Sequence, residues 1–304
     1  MINEYSFEKF IMTCCEMPEY ELRDFIKNTL KEHGFSFVED NYVSERKGLY
    51  KKIPNLLAVR GKPNVCLVAH TDVCRDHSGH SRKPEPTIKT KYHYGEKEII
   101  IQDKNCKVQL GGDDRLGVAI NLWVAINSGY DLGLLFTTDE EIGAISASAL
   151  EIPMHHFDIL LQVDRGNHRN QLVTSIGGVQ LCSEKTAERL LDIAEFIDLP
   201  RVPVQGLLTD VYAIKKMGKC KNAVNMTCGY HQSYGSGADE YISVSEARYT
   251  MKYVAEIIKD YYLYGNTEDD IIDNEYIFAE EDLEEISPFT NETTIFEETL
   301  YQIR

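Results

Sequence analysis

Apolar residues recur at steps of three and four between Ser6 and His33: Phe7, Phe10 and Ile11, then Leu22, Phe25, Ile26 and Leu30. That spacing predicts helix, broken in two by Pro18 and stopped by Gly34. Short apolar runs bounded by turn residues follow. Asn55–Gly61 (NLLAVRG) and Val65–His70 (VCLVAH) read as neighbouring strands joined by the turn GKPN, and Glu98–Asp103 (EIIIQD) reads as another. Leu132–Asp139 and Phe157–Asp164 are almost continuously apolar, the pattern of strands buried on both faces of a sheet. Helical spacing returns at Asp114–Gly129, Thr186–Ile197 and Val244–Leu263. Strands alternate with helices throughout. That order predicts an α/β protein, a three-layer sandwich around a mixed, mostly parallel central sheet.

Composition refines this picture. A chain of 304 residues with 43% hydrophobic content can bury a sizeable core. The formal net charge is −17, and from Gly265 onward 13 acidic residues face a single base, Arg304. We therefore divide the chain into one domain, residues 1–264, and an acidic tail, residues 265–304. The charge argues against general affinity for nucleic acid or anionic membranes. No run of about 18 apolar residues suggests a membrane span. The N-terminal MINEYSFEKF carries acids and lacks a long apolar run, so no secretory signal is expected. The eight cysteines include no CxxC pair, which fits reduced thiols in the cytoplasm.

The chemistry gathers where the strands end. VCLVAH runs into His70, Thr71 and Asp72; LGLLFTTD runs into Asp139, Glu140 and Glu141; FDILLQVD ends on Asp164. The turn before the central helix carries Gly111, Gly112, Asp113 and Asp114. Open α/β sheets bind ligands beyond the carboxyl ends of their strands. Carboxylates crowded there repel one another unless a cation sits among them, and His with carboxylates suits zinc, cobalt or manganese. Each motif alone has a bland reading, as a capped strand end, a solvated charge run or an acidic helix start. Their joint placement favours a metal site.

The order HxD, GGDDRxG, DEE and strand-terminal Asp resembles the co-catalytic zinc exopeptidases, which include aminopeptidases and tripeptidase T-like enzymes. LGGDDRLG and FTTDEEIG are close to the tripeptidase T-like pattern, and the resemblance spans about Asn55 to Val244. It implies a zinc-exopeptidase-like fold holding one or two Zn2+ ions, with Co2+ or Mn2+ as substitutes. His70 would bind one ion, with Asp72 holding its imidazole; Asp113 would bridge both ions; Asp164 would share the His70 ion; Glu141 would bind the other. Glu140 would be the general base of a metallopeptidase.

Two departures stand out. The family closes its second metal site with a late histidine. Here the only His of Asn225–Val244 is His231, while the usual position falls nearer Tyr234 or Ser236. Either His231 reaches the metal or that ligand is absent. The chain also lacks the inserted dimerisation domain of many relatives, so this is the compact form. Loop Cys74–Lys91 would wall the site, with His77 and His80 read as exposed loop residues. Asp210 is read mainly as a helix-starting residue. Expected substrates are small peptides, with an N-acyl amine (amidohydrolase or deacylase chemistry) and a non-catalytic peptide binder as alternatives. Self-association is left open.

Overall fold

The computed structural model describes residues 6–44, 53–77, 83–93, 96–232 and 239–265. His80, Tyr234, Ser236 and the acidic tail beyond Gly265 lie outside these described residues. The predicted N-terminal helix is two helices, α1 (Phe7–Glu16) and α2 (Glu19–Glu32). Ser6 caps α1 by accepting the Lys9 N–H, Pro18 caps α2, and Gly34 follows in a left-handed conformation.

Next in chain order come β1 (Ser36–Glu39), β2 (Leu56–Arg60), β3 (Val65–His70), the single turn α3 (Cys74–His77), β4 (Pro86–His93) and β5 (Glu96–Asp103). Then follow α4 (Gly112–Ser128), β6 (Leu132–Thr137), the short α5 (Ile145–Ser148), β7 (Ile159–Arg165), β8 (Gln171–Ile176) and β9 (Val179–Gln180). The remainder is α6 (Glu184–Phe196), β10 (Val202–Gly206), α7 (Asp210–Lys216), β11 (Asn222–Thr227), β12 (Tyr230–His231), β13 (Tyr241–Ser243) and α8 (Val244–Tyr264).

The principal sheet has the order β1-β2-β6-β3-β7-β11-β8-β10, with β9 on β8. Its centre is parallel: β3 lies between β6 and β7, and β11 continues alongside β7. Antiparallel pairs, β1–β2, β2–β6 and β8–β11, make it mixed. Both faces are covered. One core joins α1, α2, α4, α6 and α8 to the sheet through residues such as Phe10, Leu30, Leu122 and Ile257; the other packs α5 and α7 against Leu57, Leu135 and Leu160. This is the three-layer α/β arrangement expected from the alternation of elements. The near-continuous apolar runs are β6 and β7, buried along their lengths except for Arg165.

One sequence reading needs correction, and another gains its place in the fold. Strands β2 and β3 are not neighbours, because β6 lies between them. Their connection straddles the start of β6: Lys62 donates its backbone N–H to Asp131, the residue before β6, at 2.9 Å. Gly61, at φ +68°, leaves no room for a Cβ beside that carboxylate. A short polar link therefore spans a strand instead of closing a hairpin. The EIIIQD segment is a strand, as read, and lies outside the main sheet. As β5 it pairs in a second sheet of order β12-β13-β5-β4, which flanks the start of α4.

Hydrogen bonds from α2 pin the ends of the central strands. Buried Glu19 accepts from the hydroxyls of Thr71 and Thr138, and the Arg23 guanidinium donates to the carbonyls of Phe136, Thr137 and Pro54. The carboxyl edge of β3 and β6 is thus fixed from outside the sheet. All eight cysteines are free, and no described helix is long and apolar enough to cross a membrane.

Candidate metal centre

His70 is the last residue of β3 and is wholly buried. Its Nδ1 faces the Asp72 backbone carbonyl at 3.0 Å and the Asp72 carboxylate at 3.4 Å. A proton on Nδ1 satisfies both, which leaves Nε2 to face the cluster. There, Nε2 lies 3.1 Å from Asp113, 3.7 Å from Asp164 and 3.9 Å from Glu140. Ligand-capable atoms of His70, Asp113 and Asp164 all fall within 4.8 Å of one another, close enough to share one ion.

Each member is held by a separate element. Asp113 stands at the start of α4 with non-helical backbone angles, after a left-handed Gly111, and the Asp113–Asp114 peptide is cis. Asp114 is buried and ties the helix to β3, accepting the His70 N–H at 3.3 Å and the Gly117 N–H at 3.0 Å. Glu240 accepts the Gly111 N–H at 2.7 Å and the Asp113 N–H at 3.4 Å, locking the same turn from the other side. Asp164 comes from β7. Its Oδ2 accepts from Gln162 at 3.1 Å and Thr209 at 3.0 Å, leaving Oδ1 to face His70.

Glu140 and Glu141 do not end a strand. Strand β6 stops at Thr137, and Asp139, at φ +55°, throws the chain into a turn closed by the Gly143 and Ala144 N–H groups on the Glu140 carbonyl. The backbone N–H groups of both glutamates donate to the Asp72 carboxylate, at 3.2 and 3.3 Å. Their side chains diverge: Glu140 approaches His70, while Glu141 accepts the Cys74 N–H at 2.9 Å and its thiol at 2.8 Å.

His231 is not brought to this cluster. In extended backbone, successive side chains point to opposite faces. Tyr230 takes the inner face, its hydroxyl donating to the Asp164 carbonyl at 3.2 Å. His231 therefore points away, stacks on Tyr241 and bonds Glu246 at 2.8 Å. His77, read from sequence as an exposed loop residue, is instead nearly buried and bonded to Asp72 at 2.7 Å. It forms a second convergent group with Asp72 and Asp139 among the described residues. Asp210 does start a helix, and it does more. Its carboxylate accepts from Thr137 at 2.8 Å and Gln162 at 3.2 Å beneath the cluster.

The electrostatics are those of crowded acids. Burial pushes Asp164 up to about 8, helped by the neighbouring Asp113 charge. Burial likewise raises Glu140, with Asp164, Asp210 and Asp113 adding to it and His70 opposing. Burial puts Glu240 at about 7 and Asp210 at about 6. Burial alone would disfavour charge on His70, but its hydrogen bonds to the Asp113, Asp164 and Asp72 carboxylates outweigh it and raise its pKa. Protons thus stand where a divalent cation would relieve the same repulsion. One imidazole and two carboxylates aimed at a common point also fit zinc's donor preferences.

Sequence reasoning missed Asp114, Gln162, Thr209, Tyr230 and Glu240. Asp114 was visible within the GGDD motif. The others act through contacts across the chain that no local pattern shows.

No family model matches the sequence, and no curated protein does. Likeness emerges in three dimensions. An aminopeptidase from Bacillus cereus superposes with a TM-score of 0.63 at 15% identity, over 84% of this chain and 98% of that one. A tripeptidase from Staphylococcus aureus gives 0.66 at 13% identity, over 84% and 97%. A leucine aminopeptidase precursor from Bacteroides thetaiotaomicron gives 0.60 at 12% identity, over 83% and 95%. The architecture is thus the mixed-sheet α/β fold seen in these three structures.

Proposed function

We propose that this chain is a metal-dependent hydrolase of peptide bonds, an exopeptidase acting on small peptides, with residues 1–264 as its catalytic domain. The observation that carries this is the convergence of His70 Nε2, Asp113 and Asp164 within 4.8 Å, with Glu140 3.9 Å from the same imidazole nitrogen. His70, Asp113 and Asp164 would hold the ion, zinc by preference. An ion held there would supply Lewis acidity and allow water to be activated as a nucleophile near neutral pH. Asp72 fixes the tautomer and plane of His70. Glu140 accepts a proton from the attacking water and returns it to the leaving amine. Burial raises its proton affinity above that of an ordinary carboxylate, which favours taking a proton from water. Glu141 and Asp113 are the residues that would provide ligands for a second ion. With His231 bonded to Glu246, one ion is the occupancy the described residues support best.

The test is zinc stoichiometry on untagged, dialysed protein, with turnover of aminoacyl-nitroanilides beside N-acyl amino acids. About one zinc per chain with release of nitroaniline supports the reading. Cleavage of N-acyl substrates alone would move the scissile bond to an acylated amine. Absence of bound zinc would sink the proposal.

A further inference from the structure

Asp72 is fully buried and serves several partners at once. It faces His70 Nδ1 on one side and accepts the backbone N–H groups of Glu140 and Glu141 on the other. A carboxylate in this position orients the metal-facing imidazole and places the glutamate turn together. A buried carboxylate holds one orientation only when its lone pairs are filled. A side-chain donor also reaches it: His77 Nε2, at 2.7 Å from Asp72 Oδ2.

The turn that presents His77 is anchored residue by residue. Cys74 bonds Glu141 through its N–H and its thiol. Arg75 donates to the carbonyls of Gln109, Leu110 and Cys15. Asp76 accepts the Val73 N–H at 3.2 Å and stands 3.6 Å from the buried Arg115 guanidinium. Helix α3 is a four-residue bracket with every side chain committed, and its last residue closes on Asp72. The other acid beside His77, Asp139, is held at 2.7 Å by the Tyr42 hydroxyl.

We propose that His77 is a positioning residue of the metal centre. Its Nε2–H locks the Asp72 carboxylate, and through Asp72 it sets the orientation of His70 and the placement of Glu140. This rests on the metal-site reading above, and its test separates the two. Zinc affinity is measured by competition with a chromophoric chelator for wild type, His77→Ala and His77→Gln, alongside the thermal midpoints of the stripped proteins. Glutamine can carry an N–H donor near the position of Nε2, whereas alanine carries none.

Loss of the group that orients a ligand costs about 10–100-fold in metal affinity, and loss of the residue that locks that group in place costs a share of it, about 10-fold. His77→Ala is expected to show such a loss, and His77→Gln to recover most of it, with both stripped variants melting near wild type. Wild-type affinity in His77→Ala would overturn the proposal while leaving the metal site standing. So would equal losses in both variants that merely follow a lowered midpoint. Loss of zinc stoichiometry in both variants, with the stripped proteins melting near wild type, would overturn it in favour of His77 as a direct ligand. No zinc binding by wild type would instead remove the underlying reading.

Discussion

Glu140 and His231 are the two residues whose roles a single substitution separates most cleanly. Glu140 is close to His70 but is not needed to complete the His70, Asp113 and Asp164 group. Glu140→Gln keeps the shape and removes the base. It should retain zinc stoichiometry and lose about 10²–10⁴-fold in kcat, the span typical of a general base. Turnover at the wild-type rate would refute the assignment. His231 makes the opposite case. Paired with Glu246 and stacked on Tyr241, it works in the packing between β12, β13 and α8. His231→Ala should leave zinc stoichiometry intact but lower unfolding free energy by about 1–3 kcal/mol, since a buried acceptor loses one partner. Arg169, 2.7 Å from the other Glu246 oxygen, limits the damage. A drop in bound zinc would show that His231 does ligate an ion.

At the scale of elements, the close seat of α4 on the sheet aligns Asp113 with His70. Gly117 permits it: a Cβ there would fall 2.2 Å from Asp114 Oδ1 and 2.5 Å from the Val163 carbonyl. Gly117→Ala should therefore push the helix start off β7, costing about 1–3 kcal/mol as other overpacked sites do. It should also weaken zinc binding, read by chelator competition; an unchanged affinity would mean that the helix start adapts without moving Asp113. What was legible in the sequence follows from how each element is stabilised. Helices α1, α2, α6 and α8 and strands β3, β6 and β7 announce themselves because burial imposes a period or an unbroken apolar run. Strands β1, β8, β10 and β12 are short or half exposed and carry little such signal. Strand order was hidden too, since Lys62–Asp131 and β2–β6 pairing are long-range. His70, Asp113 and Asp164 were readable because each sits at or beside the end of a legible element, and Glu140 because it follows shortly after one. His77 was not, because its partner Asp72 is reached only when α3 folds back, and the side to which His231 turned was set by the register of β12 on β13.

Across the whole molecule, an acidic chain has gathered carboxyls that prefer to stay protonated in its interior. The folded values are about 8 for Asp164, about 7 for Glu240 and about 6 for Asp210, against ordinary values of 3.8 for Asp and 4.5 for Glu. A group with a raised folded pKa binds its proton more tightly in the folded state. Its stabilising share is complete below the ordinary value and is lost as pH rises through the folded value. The metal-free protein should therefore lose stability progressively from about pH 4 to about pH 8. Zinc binds deprotonated ligands, so the ion gains ground over the window in which the proton leaves. At 100 times its dissociation constant, a ligand specific to the folded state adds about 2.7 kcal/mol. The gap in thermal midpoint between zinc-loaded and chelator-stripped protein should thus be wider at about pH 8 than at about pH 5. Comparing loaded with stripped protein at each pH largely cancels the general self-repulsion of a chain of net charge −17, because both forms carry nearly all of it. A gap of equal size at both pH values would mean that the buried acids are not where the ion binds.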